Sequence, residues 1–305
     1  MSTPPVDNNA DAPQQAPAEV LQSLLKVLAL RPLGIDDAGQ DLFEGSSQRQ
    51  PHGRVFGGQV LGQTLMAASL TVPQDRPVHS MHGYFLRPGD SGEPIQFAVE
   101  RLRDGRSFTA RRVHALQFGK PILSMIASFQ DADSGFEHQD EMPDVPGPDE
   151  LPTTAELLGH IDHPVARYWS HQRPIDLRHV QQPLYLQADP EPHAAQAVWM
   201  RTVAPMPDDP VLHRAVLGYA SDYTLLESVL RRHGQAWATM GRAASLDHAM
   251  WWHRPARVDE WLLYTQSSPS AQGGRGLGAG RVFSQDGTLV ASVAQEGMLR
   301  PPRSN

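Results

Sequence analysis

The chain has 305 residues, of which 40% are hydrophobic, so it is long enough for one large or two medium domains with a proper core. Its formal net charge of -8 argues against a protein that binds nucleic acid through a basic surface. It contains no cysteine, which excludes disulfides, thiolate catalysis and cysteine-ligated metals and fits a reducing compartment.

No stretch of the sequence is typical of a membrane protein or a secreted protein. No apolar run approaches the length of a membrane span. The N-terminus lacks the basic residues and the apolar stretch of a secretory signal. We therefore expect a cytoplasmic protein that has no membrane partner.

The first residues predict a disordered tail followed by a helix. Residues 1–18 are rich in Pro, Ala, Gln and Asp, a composition that does not support a packed core. Residues 19–30 carry an apolar stripe at helical spacing. The polar face of this helix is not rich in Lys or Arg, so we interpret it as core packing rather than a membrane anchor.

A pair of glycines, Gly57-Gly58, precedes an almost wholly apolar or small run over residues 60–70. A helix that is apolar on most sides is a buried helix. The paired glycines permit a close approach of the backbone to another group. They lack the third glycine and the Lys-Ser/Thr ending of a phosphate-binding loop, which is therefore not favoured.

Strand-like segments surround this helix. We predict strands over residues 41–48, 78–86, 95–102, 107–117 and 122–130. Together they predict an N-terminal domain, residues 19–130, in which an antiparallel sheet wraps around one helix. Residues 131–172 are rich in Pro, Asp, Glu and His and are predicted to be a linker with a short helix near residues 154–158.

A second, longer helix is predicted over residues 208–230. Asp209 can cap its first amides, Pro210 suits the first helical position, and His233-Gly234 ends it. Asp222 lies in the apolar part of this run, where a carboxylate is costly to bury and needs partners or a task. Periodicity also allows an exposed position on the polar face.

Strands flank this second helix as they flank the first, and they predict a C-terminal domain over residues 173–302. We predict them over residues 173–186, 197–203, 243–252, 260–267, 273–283 and 289–299. The two halves can be laid on each other as an internal repeat. The superposition aligns Asp222 with Gly62, Ser245 with Val78, and Gln295 with Ser128. We infer that the second half kept a polar set and the first became scaffold.

Two other kinds of site find little support. Ser245, Asp247 and His248 look like a hydrolytic triad, but on a regular strand His248 points to the opposite face from the other two. A Gly-x-Ser-x-Gly motif is also absent. The 14 histidines are scattered, with no two-His spacing on a predicted helix, so we expect no metal and no cofactor.

Several motifs together resemble those of the acyl-CoA thioesterase II family, and the likeness runs from residue 21 to residue 301, nearly the whole chain. The motifs are Arg54-Val55-Phe56-Gly57-Gly58-Gln59, Tyr84-Phe85-Leu86-Arg87-Pro88-Gly89, Arg103-Asp104-Gly105, Ala127-Ser128-Phe129-Gln130, Leu217-Gly218-Tyr219-Ala220-Ser221-Asp222, Asp247-His248, His253-Arg254-Pro255 and Val293-Ala294-Gln295-Glu296-Gly297. The resemblance implies an α+β fold of two fused hotdog domains, each an antiparallel sheet wrapped around a central helix.

The resemblance also implies the chemistry and its residues. Asp222, Ser245 and Gln295 would hold a water that attacks fatty acyl-CoA and releases a free fatty acid and CoA. Family members often have Thr at the position of Ser245, and both residues supply a hydroxyl. The expected partner is the acyl-CoA substrate, and the expected assembly is a homo-oligomer, either a dimer or a tetramer.

Residues for substrate binding follow from the needs of CoA and of the acyl chain. For the oxyanion we name helix amides near Asp222 or near Gly58, without choosing between them. For the CoA phosphates we name Arg54, Arg106 and Arg275. The candidates for the acyl groove are Leu217, Leu225, Leu226, Met250 and Trp251. Two alternatives remain. One is a non-catalytic acyl-CoA-binding protein, and the other is a hotdog hydratase, which needs a His where this chain has Glu227.

Overall fold

The protein, seen in a computed structural model that describes residues 15–302, has two halves of similar layout. The first half contains α1 (Pro17–Leu28), β1 (Arg31–Ile35), β2 (Asp41–Gly45), α2 (Gly57–Ser69), β3 (Val78–Phe85), β4 (Ile95–Asp104), β5 (Phe108–Gln117) and β6 (Lys120–Gln130). Most of the tail predicted over residues 1–18 lies outside the described residues. The helix and strands predicted for this half are found, and β1 is an additional edge strand.

The second half follows a segment that contains two short helices, α3 (Thr154–Leu158) and α4 (Pro164–His171). It comprises β7 (Ile175–His179), β8 (Ala195–Thr202), α5 (Pro210–Ala220), α6 (Glu227–Arg232), β9 (Arg242–Ser245), β10 (Asp247–Trp252), β11 (Leu262–Gln272), β12 (Arg275–Ser284) and β13 (Leu289–Arg300). The short helix predicted near residues 154–158 is α3, whereas α4 was not predicted.

The strands of both halves join into one antiparallel sheet. Its order across the described residues is β1-β2-β4-β5-β6-β3-β10-β13-β12-β11-β8-β7, with β9 paired to β13. The first six strands and the last six repeat the same connectivity in mirror order, and β3 pairs with β10 at the junction. This is the predicted α+β architecture of two fused hotdog units, each with its own helix.

The two central helices, α2 and α5, pack against each other on the inner face of the sheet. Gly58 makes this approach possible, since a Cβ there would lie 2.2 Å from the carbonyl oxygen of Tyr219. Leu61 and Val216 are fully buried in the core that the helices and strands of both halves share. No helix within residues 15–302 is long and apolar enough to cross a membrane.

The helix predicted over residues 208–230 is wrong in one respect, because it is interrupted between Ala220 and Glu227. Its start is as predicted, with the Asp209 carboxylate accepting from two amides, and Gly234 ends it with a φ of +56°. Side chains from distant strands hold the intervening turn. Tyr264 donates its hydroxyl proton to the Ser221 carbonyl at 3.2 Å. Helical periodicity contains no signal for such long-range partners.

The internal repeat is visible in the strand register. Val78 and Ser245 both precede an irregularity of register, which supports their alignment. The alignment of Gln295 with Ser128 is wrong by one residue. Gln295 faces the interior with 1% of its surface exposed, whereas Ser128 is paired with His79 outside the core. A slip of one residue exchanges the two faces of a strand, so the inward counterpart is Ala127.

Candidate active site

The turn between α5 and α6 brings Asp222 into a cluster of three polar side chains. Gln295 Nε2 donates to Asp222 Oδ1 at 2.7 Å and to Ser245 Oγ at 2.7 Å. The Ser245 hydroxyl donates to Asp222 Oδ1 at 3.3 Å. A carboxylate, a hydroxyl and an amide from three separate elements therefore share one set of hydrogen bonds.

A β-bulge between β9 and β10 orients Ser245 toward this cluster. Ser245 pairs with Gly297 of β13 and Ala249 pairs with Ala294, so three residues on one side oppose two on the other. A bulge of one residue shifts the alternation of side chains. Ser245 and the fully buried His248 consequently both face the interior. The expectation that His248 points away from Ser245 is therefore wrong, because the strand is not regular.

The electrostatics of the cluster make Asp222 an unusually basic carboxylate. Burial raises its pKa from 3.8 to about 6, although hydrogen bonds from Gln295, the Gly58 amide and Ser245 favour the ionised form. The carboxylate is therefore mostly ionised at neutral pH but accepts a proton more readily than an exposed Asp. This is the property that a general base requires.

The N-terminus of α2 faces Asp222. The helix begins at Gly57-Gly58, its first turn has no acidic residue, and no side chain caps it. The Gly58 amide donates to Asp222, and the Gly57 amide is the first of the helix, so it has no acceptor within the helix. A Cβ on Gly57 would lie 2.6 Å from Asp222 Oδ2. A helix N-terminus carries a partial positive charge, so these amides favour an anion at this point.

A cavity of about 810 Å³ opens beside the cluster. Asp222, Ser245 and Gly57 line it, and Gln295 lies behind them. The rest of its wall comes from both halves of the chain and from α4. The larger apolar and aromatic side chains of this wall are Val55, Phe56, Val60, Phe85, Leu86, Ile122, Val165, Tyr168, Trp169, Tyr223, Leu226, Trp237 and Leu246. Its size and lining are typical of a small-molecule site.

Aromatic stacking organises one side of the cavity. Phe56 stacks on Tyr223 with ring centroids 4.6 Å apart. The guanidinium of Arg173 lies 4.7 Å from the Tyr223 ring and 4.8 Å from the Trp169 ring, so it is held by both. The segment predicted as a linker thus contributes a wall of the cavity through α4 and the residues that follow it.

The residues predicted to bind substrate do not all meet at this cavity. Arg54 lines it from an exposed position, Leu226 is part of its apolar wall, and the Gly58 amide bonds Asp222 at its edge. The others do not line it: Arg106 lies in the β4–β5 hairpin, Arg275 pairs with Glu296, Leu217, Leu225 and Met250 are buried in the core, and Trp251 packs edge-on against His82. Met250 and Trp251 are consecutive on a strand and so point to opposite faces.

Sequence reasoning missed several lining residues. Tyr168 and Trp169 lie at the end of a segment rich in Pro, Asp, Glu and His, whose composition predicts a linker, and Arg173 is the first residue of the predicted C-terminal domain. The only available signal was the pair of aromatic residues in an otherwise polar stretch. Within residues 15–302, no group of three His, Asp or Glu residues is arranged to hold a metal ion.

The fold is that of two fused hotdog units, and comparison with known proteins identifies the family. The family model described as acyl-CoA thioesterase matches residues 172–298, and the model described as acyl-CoA thioesterase N-terminal domain matches residues 46–130. Together they cover most of both halves. The chain belongs to the acyl-CoA thioesterase family.

Individual relatives support the same assignment over nearly the full chain. Acyl-CoA thioesterase 2 of Haemophilus influenzae is 38% identical over 93% of this chain and 99% of its own. Human acyl-coenzyme A thioesterase 8 is 40% identical over 91% of this chain and 90% of its own. Among solved structures, acyl-CoA thioesterase II TesB2 from Mycobacterium marinum is 44% identical, with a TM-score of 0.74 over 93% of this chain and 99% of that one.

Proposed function

We propose that this chain hydrolyses fatty acyl-CoA to a free fatty acid and CoA by direct attack of a water held by Asp222, Ser245 and Gln295. The observation that carries the proposal is the convergence of these three side chains at the wall of a substrate-sized cavity. The names of the relatives support acyl-CoA as the substrate.

In the proposed reaction, Asp222 takes a proton from the water as its oxygen attacks the thioester carbonyl carbon. Ser245 and Gln295 orient the water through hydroxyl and amide. The tetrahedral intermediate then collapses and the carbon–sulfur bond breaks. Asp222 returns its proton to the leaving sulfur, so CoA departs as the thiol. A thioester is electrophilic enough for this direct route, and we predict that no acyl-enzyme forms.

The developing oxyanion needs donors that are in place before the reaction. The amide of Gly57 suits this role because Gly57 lines the cavity beside Asp222 and the first amide of a helix has no acceptor within that helix. The dipole of α2 adds to the stabilisation of negative charge at this point. The Gly58 amide is already engaged by Asp222.

The two ends of the substrate require different surroundings. The aromatic and aliphatic wall suits the acyl chain. The exposed cations Arg54 and Arg87, which line the same cavity, suit the phosphates of CoA. The prediction of a homo-oligomer stays a prediction.

The hydratase alternative is disfavoured by the surroundings of Glu227, the residue five positions after Asp222. Glu227 is buried and accepts from Trp237 Nε1 at 2.8 Å and contacts His179 Nε2 at 3.2 Å. A hotdog hydratase would need a histidine at this position, whereas this chain has a glutamate whose carboxylate contacts Trp237 and His179. The CoA-release assay described below distinguishes a hydrolase from a non-catalytic acyl-CoA-binding protein.

Release of CoA, followed with a thiol reagent, tests the proposal, and the absence of cysteine in the protein removes the background signal. Asp222→Ala should lower kcat by about 10²- to 10⁴-fold, since it removes the base. For the wild-type protein, kcat/KM should fall about tenfold per pH unit below a pKa of about 6.

The matched control is Asp208→Ala, an Asp whose side chain is 92% exposed, and it should retain the wild-type rate. If the wild-type protein binds acyl-CoA without releasing CoA, the protein is a non-catalytic acyl-CoA-binding protein. An unchanged rate in Asp222→Ala would remove Asp222 as the base. Mass spectrometry during turnover should find no acyl adduct on the protein.

A further inference from the structure

We propose that His248 is a positioning residue that sets the orientation of the Gln295 carboxamide, so that the amide nitrogen rather than the oxygen faces Asp222 and Ser245. The inference rests on the proposed function, because the orientation matters only if these three side chains hold the attacking water. It assigns a role to a histidine outside the reacting set.

Two buried polar atoms carry the inference. Within the described residues, His248 Nδ1 and Gln295 Oε1 are both buried without a hydrogen-bond partner. The bulge places the two residues opposite each other on β10 and β13, since Ala249 and Ala294 are the next pair along. The Gln295 carboxamide interacts with the His248 ring. A hydrogen bond from Nδ1–H to Oε1 would satisfy both atoms together.

The other ring nitrogen determines which tautomer is present. His248 Nε2 lies 2.9 Å from Ser221 Oγ, and Ser221 directly precedes Asp222 in the chain. If the Ser221 hydroxyl donates to Nε2, the ring proton resides on Nδ1 and points to Gln295. The ring then connects the turn that carries Asp222 to the strand that carries Gln295.

The opposite tautomer would produce a poor site. The Ser221 hydroxyl also lies 2.9 Å from the Gly218 carbonyl oxygen, and if it donates there, His248 donates from Nε2 and leaves Nδ1 bare. Gln295 would then have to turn its NH₂ toward His248 and its oxygen toward the Asp222 carboxylate. Two acceptors would face each other, so the histidine tautomer and the amide orientation are linked.

The surroundings keep the ring neutral, as this role requires. His248 has no exposed surface, and burial lowers its pKa to about 4. A neutral imidazole offers one donor and one acceptor, whereas a protonated ring would offer two donors and lose the bond from Ser221. The ring does not line the cavity, so it reaches the reacting groups through its neighbours Gln295 and Ser221.

Three substitutions at His248 test the proposal by the position of the nitrogen that each retains. His248→Asn keeps an amide N–H near the position of Nδ1, His248→Gln places one near Nε2, and His248→Leu keeps neither. We expect His248→Leu and His248→Gln to lower kcat by about 10- to 100-fold with KM within about twofold. His248→Asn should recover most of the lost rate, a pattern that general destabilisation would not produce.

The coupling to Gln295 provides a second readout. In a Gln295→Ala background, His248→Gln should cause no further loss of kcat, because the amide that it orients is absent. Thermal unfolding identifies any variant that fails to fold, and in that case the comparison of His248→Asn with His248→Gln decides. Equal rates for these two variants, or additive losses with Gln295→Ala, would overturn the inference.

The outcome is separable from that of the proposed function. If Gln295→Ala lowers kcat while every His248 variant keeps the wild-type rate, the positioning role fails and the hydrolytic mechanism stands. If Gln295→Ala itself keeps the wild-type rate, the proposed water-holding cluster fails, and the positioning role fails with it.

Discussion

At the scale of the residue, burial makes the Asp222 carboxylate a stronger base and also lowers the stability of the folded protein. Burial raises its pKa from 3.8 to about 6. The folded state therefore holds a proton that the unfolded chain has already lost between these two pH values. As pH rises through this window, the contribution of Asp222 to stability falls, and above about pH 6 the penalty is constant.

Asp222→Asn should therefore stabilise the protein while it abolishes turnover. A neutral amide of the same shape avoids the cost of burying a charge, so we expect the free energy of unfolding at pH 8 to rise by about 1–3 kcal/mol. The gain should shrink below about pH 6 and be absent below 3.8, where Asp222 is protonated in both states. Urea unfolding of both proteins at several pH values measures this gain in stability. An equal gain at pH 3.5 and pH 8 would contradict the prediction.

At the scale of the element, the N-terminus of α2 has two adjacent glycines with different reasons to be glycine. A Cβ on Gly57 would meet Asp222 Oδ2 at 2.6 Å and the Phe85 ring at 3.1 Å, which is the reacting end of the cavity. A Cβ on Gly58 would meet the carbonyl oxygen of Tyr219 at 2.2 Å, which is the contact between α2 and α5. A side chain at Gly57 would enter the site, whereas a side chain at Gly58 would separate the two helices.

Alanine substitutions at the two glycines should have different effects, one on turnover and the other on stability. Gly57→Ala should lower kcat by at least about tenfold with a small change in melting temperature, since the methyl group displaces Asp222. Gly58→Ala should lower the free energy of unfolding by about 1–3 kcal/mol, because backbone atoms of two helices must move apart. CoA release and thermal unfolding of the two variants, measured side by side, check this. A similar loss of stability in both would contradict the division of roles.

Helix α4 shows where patterns along the chain were insufficient. It contributes Val165, Tyr168 and Trp169 to the cavity, yet its segment was predicted as a linker. Its helix begins at Pro164, with His163 as its cap and eight residues in all. So short a helix has a weak periodic signal, and it is stable because its aromatic residues pack against Arg173 and the second half.

At the scale of the whole molecule, the two halves share one hydrophobic core. Leu65 of α2 and Val216 of α5 belong to the same buried cluster, and a Cβ on Gly218 would meet Leu65 Cδ1 at 2.8 Å. The strands continue across the junction from β3 to β10. The cavity also takes its walls from both halves. The two hotdog units are therefore expected to unfold together.

A substitution that leaves an empty space in the core of one half should destabilise both halves. Leu65 is 1% exposed, so Leu65→Ala should cost about 2–5 kcal/mol and shift a single thermal transition to lower temperature. Leu102→Ala is the matched control, because Leu102 is 42% exposed and its truncation should shift the transition little. Calorimetry that resolves two transitions, of which Leu65→Ala moves only one, would contradict the shared core.

Most of the order of elements, the two buried helices and the internal repeat were readable from the chain, because glycine pairs, apolar runs and strand alternation are local signals of backbone geometry. The resemblance added the identities of Asp222, Ser245 and Gln295. Their meeting point depends on features without a local signal. These are the turn held by Tyr264, the bulge beside Ser245, and the contact of Arg173 with Trp169 of α4 and with Tyr223. Each is stabilised by side chains far away in sequence, and such contacts exist only once the chain has folded.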